Sequence, residues 1–214
     1  MSFIGVLRQR ALNSSAEFVE PLLGLAQLYS DRERMHSAVA GRHFREAPAG
    51  LFLEFGVFEG HSLRRWADSL PPGAWNGVVH GFDSFEGLRD PWSQVNIGVG
   101  SFRTSAPPED LDGATIVRGW VEDTVDGFLG TCEGVPVAFA HLDLDTYLPT
   151  AYVLERIRGR LVEGSLLLFD ELVGYPGWQQ HEFRALQQWL PPDSYEFLAF
   201  SEEQALLRMR RCVP

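Results

Sequence analysis

Four acidic residues stand where apolar runs stop. Glu54 ends LFLE (51–54), Asp83 follows VVHGF (78–82), Asp143 closes VPVAFAHLD (135–143) and Asp170 follows SLLLF (165–169). One acid in such a place is an ordinary turn former or helix cap. Four at four strand ends need compensation, because packed carboxylates repel one another and are costly to desolvate. A bound cation would supply it, and so would the hydroxyl and ammonium groups of a ligand.

The first of these ends carries a glycine turn, Glu54-x-Gly56-x-x-x-Gly60, with Phe58, Glu59 and Ser62 in and just after it. Glycine there lets backbone approach a ligand closely. Asp83, one strand further on, is a fitting distance away for a carboxylate gripping both hydroxyls of a ribose. That combination suits an adenosine ligand. A dinucleotide would lay its pyrophosphate on the helix N-terminus, where Glu59 sits and would repel it. The ammonium of a methionine moiety tolerates that carboxylate, so S-adenosylmethionine is the favoured cofactor. A nicotinamide-dependent oxidoreductase and a non-catalytic cofactor-binding module are the alternatives.

A second constellation joins HLDLD (141–145) to FDEL (169–172). Adjacent parallel strands would bring Asp143, Asp170 and Glu171 to one rim, a hard-oxygen set suited to Mg²⁺. Such an ion could bind a substrate hydroxyl and lower its pKa. The plainer alternative makes Asp145 and Glu171 solvated caps and leaves Asp143 to orient the cofactor. All 18 basic residues are arginine, so no lysine can act as base. Asp143 is the first candidate for general base, with His141 and His181 behind it. Tyr175 and Trp178 follow the acids directly and offer a surface on which a sugar or flat acceptor could stack.

These residues need a scaffold, and the chain reads as one. At 214 residues a single domain is expected. Residues 1–48 read as an N-terminal helical segment, either a cap on the acceptor site or a homodimer contact. Ser14 and Glu17 have capping-box spacing, followed by helical periodicity through Phe18, Leu22, Leu25 and Tyr29. Met35–Phe44 reads as a second helix. From residue 49 to 214, strands at 51–55, 78–82, 115–119, 135–145 and 165–169 alternate with helices at 61–70, near Glu122, at 147–161 and at 177–190. Gly164 is taken as the stop of the third of these helices. Two further strands, 195–200 and 205–211, close the chain as an antiparallel pair, and 83–112 reads as a long functional loop. The expected fold is an α/β, Rossmann-like, mostly parallel sheet of seven strands. It has an antiparallel C-terminal strand and helices on both faces, and ligands bind at the carboxyl ends of its strands.

Composition excludes several classes of partner. The net charge of −11 disfavours nucleic acid and anionic membranes, which need a basic surface. Two cysteines make neither a disulfide framework nor a zinc site. No apolar run approaches a membrane span or a secretory signal, and a cytoplasmic protein is expected.

LFLEFGVFEGHS (51–62), GFDSFEGL (81–88), GWVEDTV (119–125), HLDLDTYLPT (141–150) and FDELVGYPGWQQHEFRAL (169–186) occur in this order. Together they resemble class I S-adenosylmethionine-dependent methyltransferases of the macrocin O-methyltransferase family, over roughly residues 50–190. The resemblance implies methyl transfer to a hydroxyl of a small molecule or sugar, with residues 49–214 as the methyltransferase domain. It also implies roles for single residues. Glu54, Gly56 and Gly60 match the glycine turn, and Asp83, with Ser84 and Phe85, matches the ribose-binding acid. Gly119, Trp120 and Val121 match the adenine-lining segment. Asp143, Asp170 and Glu171 match the metal-binding acids, although many relatives carry two aspartates where this chain has Asp170-Glu171.

Overall fold

The computed structural model describes residues 2–109 and 111–213. The centre of the fold is built from two strands buried at every position, β2 (Gly50–Phe55) and β5 (Val137–Leu142). Both are nearly continuous apolar runs, as strands covered on both faces require. The other strands are β1 (Gln27–Tyr29), β3 (Ala74–Asp83), β4 (Ala114–Arg118), β6 (Leu161–Phe169), β7 (Tyr195–Ser201) and β8 (Gln204–Met209). They form one sheet in the order β1-β7-β8-β6-β5-β2-β3-β4. Only β8 runs antiparallel, between β6 and β7. The expected seven strands are present, and β1, within the segment read as helical, pairs with β7 as an eighth at the edge.

Period-two alternation sends each central strand to two cores. Leu51, Leu53 and Phe55 pack with α5 (Val121–Thr131), α6 (Tyr147–Ile157) and α7 (Glu182–Trp189) through Val125, Leu129, Leu154 and Leu186. Phe52 and Phe139 face the other way, toward α2 (Arg32–Ala38), α3 (Phe44–Glu46) and α4 (His61–Ala67). A π-turn, Val39–His43, joins α2 to α3. Trp66 is fully buried there.

Two local expectations fail for identifiable reasons. Ser14 does not start a helix: α1 spans Phe3–Val19 with Ser2 as its cap, and the Ser14 hydroxyl donates to the Ala11 carbonyl within it. Gly164 does not stop α6, which ends at Ile157 and passes through a 3-10 turn, Arg158–Arg160. Gly164 lies inside β6 at φ +88, a conformation that favours glycine as strongly as a helix stop does.

The chain leaves β2 for β3 on one side and later returns as β5 on the other. This reversal opens a crevice at the carboxyl ends of β2 and β5, where doubly wound sheets bind ligands.

Candidate active site

A cavity of about 510 Å³ sits over that crevice. Its lining brings together Gly56, Phe58, Asp83, Ser84, Gly119, Trp120, Val121, Asp143, Asp170 and Glu171 from the sequence-derived set. Glu54, Glu59, Gly60, Ser62, Phe85, His141 and His181 are not among its lining residues.

The glycines serve the protein's own packing. Gly56 has φ +92, and a Cβ there would stand 1.8 Å from the Asp143 carbonyl oxygen. Its bare Cα therefore lets the end of β5 close against the end of β2. Gly60, the left-handed cap of α4, lies under Pro108, whose Cγ a Cβ would meet at 2.8 Å. Asp83 is committed to this turn as well. Its Oδ2 accepts from the backbone N–H groups of Val57 and Phe58, both at 2.8 Å, and its Oδ1 accepts from Phe85 at 2.7 Å. A carboxylate offers about four lone-pair sites, so Asp83 fixes the loop and still faces the cavity. Phe85 packs into the core instead. Trp120 caps α5 and lies under the Arg89 guanidinium, 4.2 Å from the ring centroid.

The strand-end acids divide into two groups. Glu54 and Asp170 belong to a buried, charge-balanced chain. Glu54 Oε2 accepts from Trp66 Nε1 at 2.6 Å and lies 3.0 Å from His141 Nδ1. His141 Nε2 lies 3.4 Å from Asp170 Oδ1, which also accepts from Gln204. Arg32 Nη2 pairs with Asp170 Oδ2 at 2.6 Å. Burial alone would push the His141 pKa down; the bonds to Asp170 and Glu54 outweigh it and hold it at about 10. Burial likewise favours the neutral form of Asp170, but His141 and Arg32 hold it below the usual carboxylate range. His36, beside Gln204, is pushed down to about 3 by burial and by the charge on His141, and it accepts the Gln204 amide proton.

The second group has no such balance. Asp143, Asp145 and Glu171 each offer a carboxylate oxygen, all within 4.8 Å of one another. Burial, then the charge of Asp170, raises Asp143 and Glu171 well above the usual range and Asp145 to about 7. Glu182 lies fully buried behind them and accepts the Glu171 backbone N–H at 3.0 Å. Glu171 Oε2 and Glu182 Oε1 are buried without a hydrogen-bond partner.

This arrangement corrects several expectations. Asp145, a solvated cap in the plainer of the two sequence readings, is buried at φ +60 and clusters with Asp143 and Glu171, whereas Asp170 lines the same cavity outside that cluster. Asp170 is drawn off by Arg32, His141 and Gln204. His141 is fully buried and does not line the cavity; it is held between Glu54 and Asp170. His181 Nε2 donates to Gln94 Oε1 at 2.9 Å, outside the cavity lining. Trp178 offers no stacking face: it is buried, donates to Ser14 Oγ at 3.0 Å and packs on Phe18 and Phe183. Tyr175 is buried too, against Trp92. Glu59 is exposed, 3.9 Å from His61.

Arg32, Arg89 and Glu203 line the cavity and carried no motif in the sequence. Leu88, Trp92, Val95, Ile97 and Phe102 also line it. All five lie in the 83–112 segment, whose length without regular structure was the signal for them.

The structure is a Rossmann-like α/β domain with an acid-lined cavity at the switch point of its sheet. A family model described as a methyltransferase domain matches residues 53–172, and the chain belongs to that family. A solved calicheamicin methyltransferase, CalS11, is 27% identical with a TM-score of 0.66, over 95% of this chain and 91% of that one. Its apo structure, titled a TDP-rhamnose 3'-O-methyltransferase, is 26% identical with a TM-score of 0.60, over 95% and 93%. The O-methyltransferase NovP shares the fold at 16% identity and a TM-score of 0.55, over 84% of this chain and 79% of that one. No match to a curated protein is found. Among the described residues no helix is long and apolar enough to cross a membrane.

Proposed function

We propose that this chain is an S-adenosylmethionine-dependent O-methyltransferase of the macrocin type, acting on a hydroxyl of a small molecule or sugar with help from Mg²⁺. The observation that carries the reading is one cavity lined by Gly56, Asp83 and Trp120 together with Asp143, Asp145 and Glu171, three clustered carboxylates with the Arg32 guanidinium at their edge. Family membership sets the nicotinamide alternative aside. The similarity to CalS11, titled as acting on a nucleotide-linked sugar, supports a sugar or sugar-like acceptor.

In this reading the Gly56 turn, Asp83, Ser84 and the Gly119–Trp120–Val121 corner hold the nucleoside. Asp143, Asp145 and Glu171 suit a divalent ion: they are hard oxygen donors on one rim, and Glu171 Oε2 is otherwise buried without a partner. A sulfonium supplies an electrophilic methyl group, and a divalent ion supplies Lewis acidity toward a hydroxyl. The protein's task is to hold the acceptor oxygen in line with the methyl group, a positioning effect of about 7–11 kcal/mol. Asp143 is the proposed proton acceptor. It lines the cavity at the end of β5, beside the other two acids. Leu88, Val95, Ile97 and Phe102 give the cavity an apolar wall. Residues 1–48 act as a cap in this scheme, since Arg32 reaches the cavity from them. A cytoplasmic location follows from the same reading.

A screen of hydroxylated acceptors with labelled S-adenosylmethionine, with and without Mg²⁺, tests the proposal. Release of S-adenosylhomocysteine that depends on acceptor and metal is expected. Binding of the cofactor with no transfer to any acceptor would favour the non-catalytic alternative.

A further inference from the structure

Arg32 is the first residue of α2, which Asp31 caps through the Arg34 N–H. From there its guanidinium reaches across to the cavity, 2.6 Å from Asp170 Oδ2 and 3.9 Å from Glu171 Oε1. Asp170 is thereby tied to Arg32, while Glu171 belongs at once to the carboxylate triad and to the surroundings of Arg32. Asp143 and Glu202 also lie within the guanidinium's field. The site thus contains a fixed cation beside the position that a divalent ion would take.

We propose that Arg32 is a resident counter-ion that sets the affinity of the carboxylate triad for divalent metal. This rests on the metal reading given above. The guanidinium keeps Asp170 out of the triad, leaving Asp143, Asp145 and Glu171 as the protein ligands, and its positive charge opposes the incoming ion. The consequence is a site that binds metal weakly when empty of other ligands. An arginine cannot relieve this repulsion by losing its proton, so the effect persists across the physiological pH range. It also makes α2, and hence the N-terminal segment, part of the site's electrostatics.

The test is Mn²⁺ binding to the full chain without cofactor or acceptor, followed by the loss of the free-ion paramagnetic resonance signal. Arg32→Gln should bind Mn²⁺ about tenfold more tightly than the natural chain, a gain of about 1.4 kcal/mol. Arg32→Lys keeps the charge and should stay within about threefold of it. An unchanged or weaker constant in Arg32→Gln would overturn the proposal. Arg32→Gln removes the partner of Asp170 Oδ2 and risks misfolding, so the same comparison is made on an Asp170→Asn background. There Arg32→Gln should again tighten binding about tenfold, and a failure to do so would overturn the proposal equally. If the natural chain and every variant bind no Mn²⁺ at millimolar concentration, the metal reading itself falls, and this inference falls with it.

Discussion

Gly56→Ala is the substitution for which the structure gives the sharpest expectation. The added Cβ would stand 1.8 Å from the Asp143 carbonyl oxygen and 2.8 Å from its carbon, where ordinary contact begins at 3.4 Å. The obstacle is backbone, so no side chain can swing aside, and the end of β5 has to retreat by roughly 1.5 Å. Left-handed backbone at φ +92 costs an L-residue about 1–2 kcal/mol. Overpacking of this kind adds about 1–3 kcal/mol. A loss of about 2–5 kcal/mol is expected in urea melts, a large part of the total stability of a domain. The retreat also moves Asp143 itself, and a misplacement of about 1 Å can lower a rate by roughly 10²-fold. Methyl transfer to the acceptor found in the screen should fall by that order even at temperatures where the variant is folded. Gly127→Ala is the control. It lies within α5 with nothing within 4 Å of the new Cβ, and it should stabilise by about 0.5–1 kcal/mol. If Gly56→Ala matched the natural chain in both stability and rate, the close approach of β2 and β5 described here would be wrong.

Further expectations concern the acids and the aromatic residues. Asp83→Asn keeps one acceptor oxygen but places an amide against backbone N–H donors. Losing a charge-assisted bond of about 1.5–3 kcal/mol should weaken S-adenosylhomocysteine binding about 10- to 100-fold by calorimetry. The folded pKa of Asp145, about 7, lies above its usual 3.8, so the folded state binds the extra proton. That stabilisation is present below about pH 4 and is lost as pH rises through 7. Mg²⁺ should therefore raise the melting temperature more at pH 8 than at pH 5; an equal or smaller rise at pH 8 would count against the triad. His141 has a raised pKa too, so its contribution is full below pH 6.5 and lost as pH rises through about 10. His141→Gln should cost about 3–5 kcal/mol by leaving buried carboxylates uncompensated, measured by urea melts at pH 7. Trp178→Ala should cost about 3–5 kcal/mol through the loss of packing against Phe18, yet leave the acceptor KM unchanged.

The strand ends were legible because burial on both faces writes itself as an unbroken apolar run, as in Val137–Leu142, and an acid then marks the stop. The site was legible to the same extent: Asp83, Trp120, Asp143 and Glu171 do meet at one cavity. Partnering was not legible. Asp143 and Asp145 sit two apart in LDLD, which says nothing of the left-handed turn at Asp145 that brings the two together. Asp170 looked as free as its neighbours, because its partners Arg32 and Gln204 come from elements far away in sequence. Gly56 and Gly164 show a related limit. A glycine announces an unusual backbone, but whether a ligand, another strand or a helix end needs it depends on what lies opposite.

Titration of the chain with S-adenosylmethionine in the presence and absence of Mg²⁺ tests the central claim most directly. The account expects one saturable site per chain that Asp83→Asn weakens at least tenfold. Absence of any such site, with NAD bound tightly in its place, would contradict it.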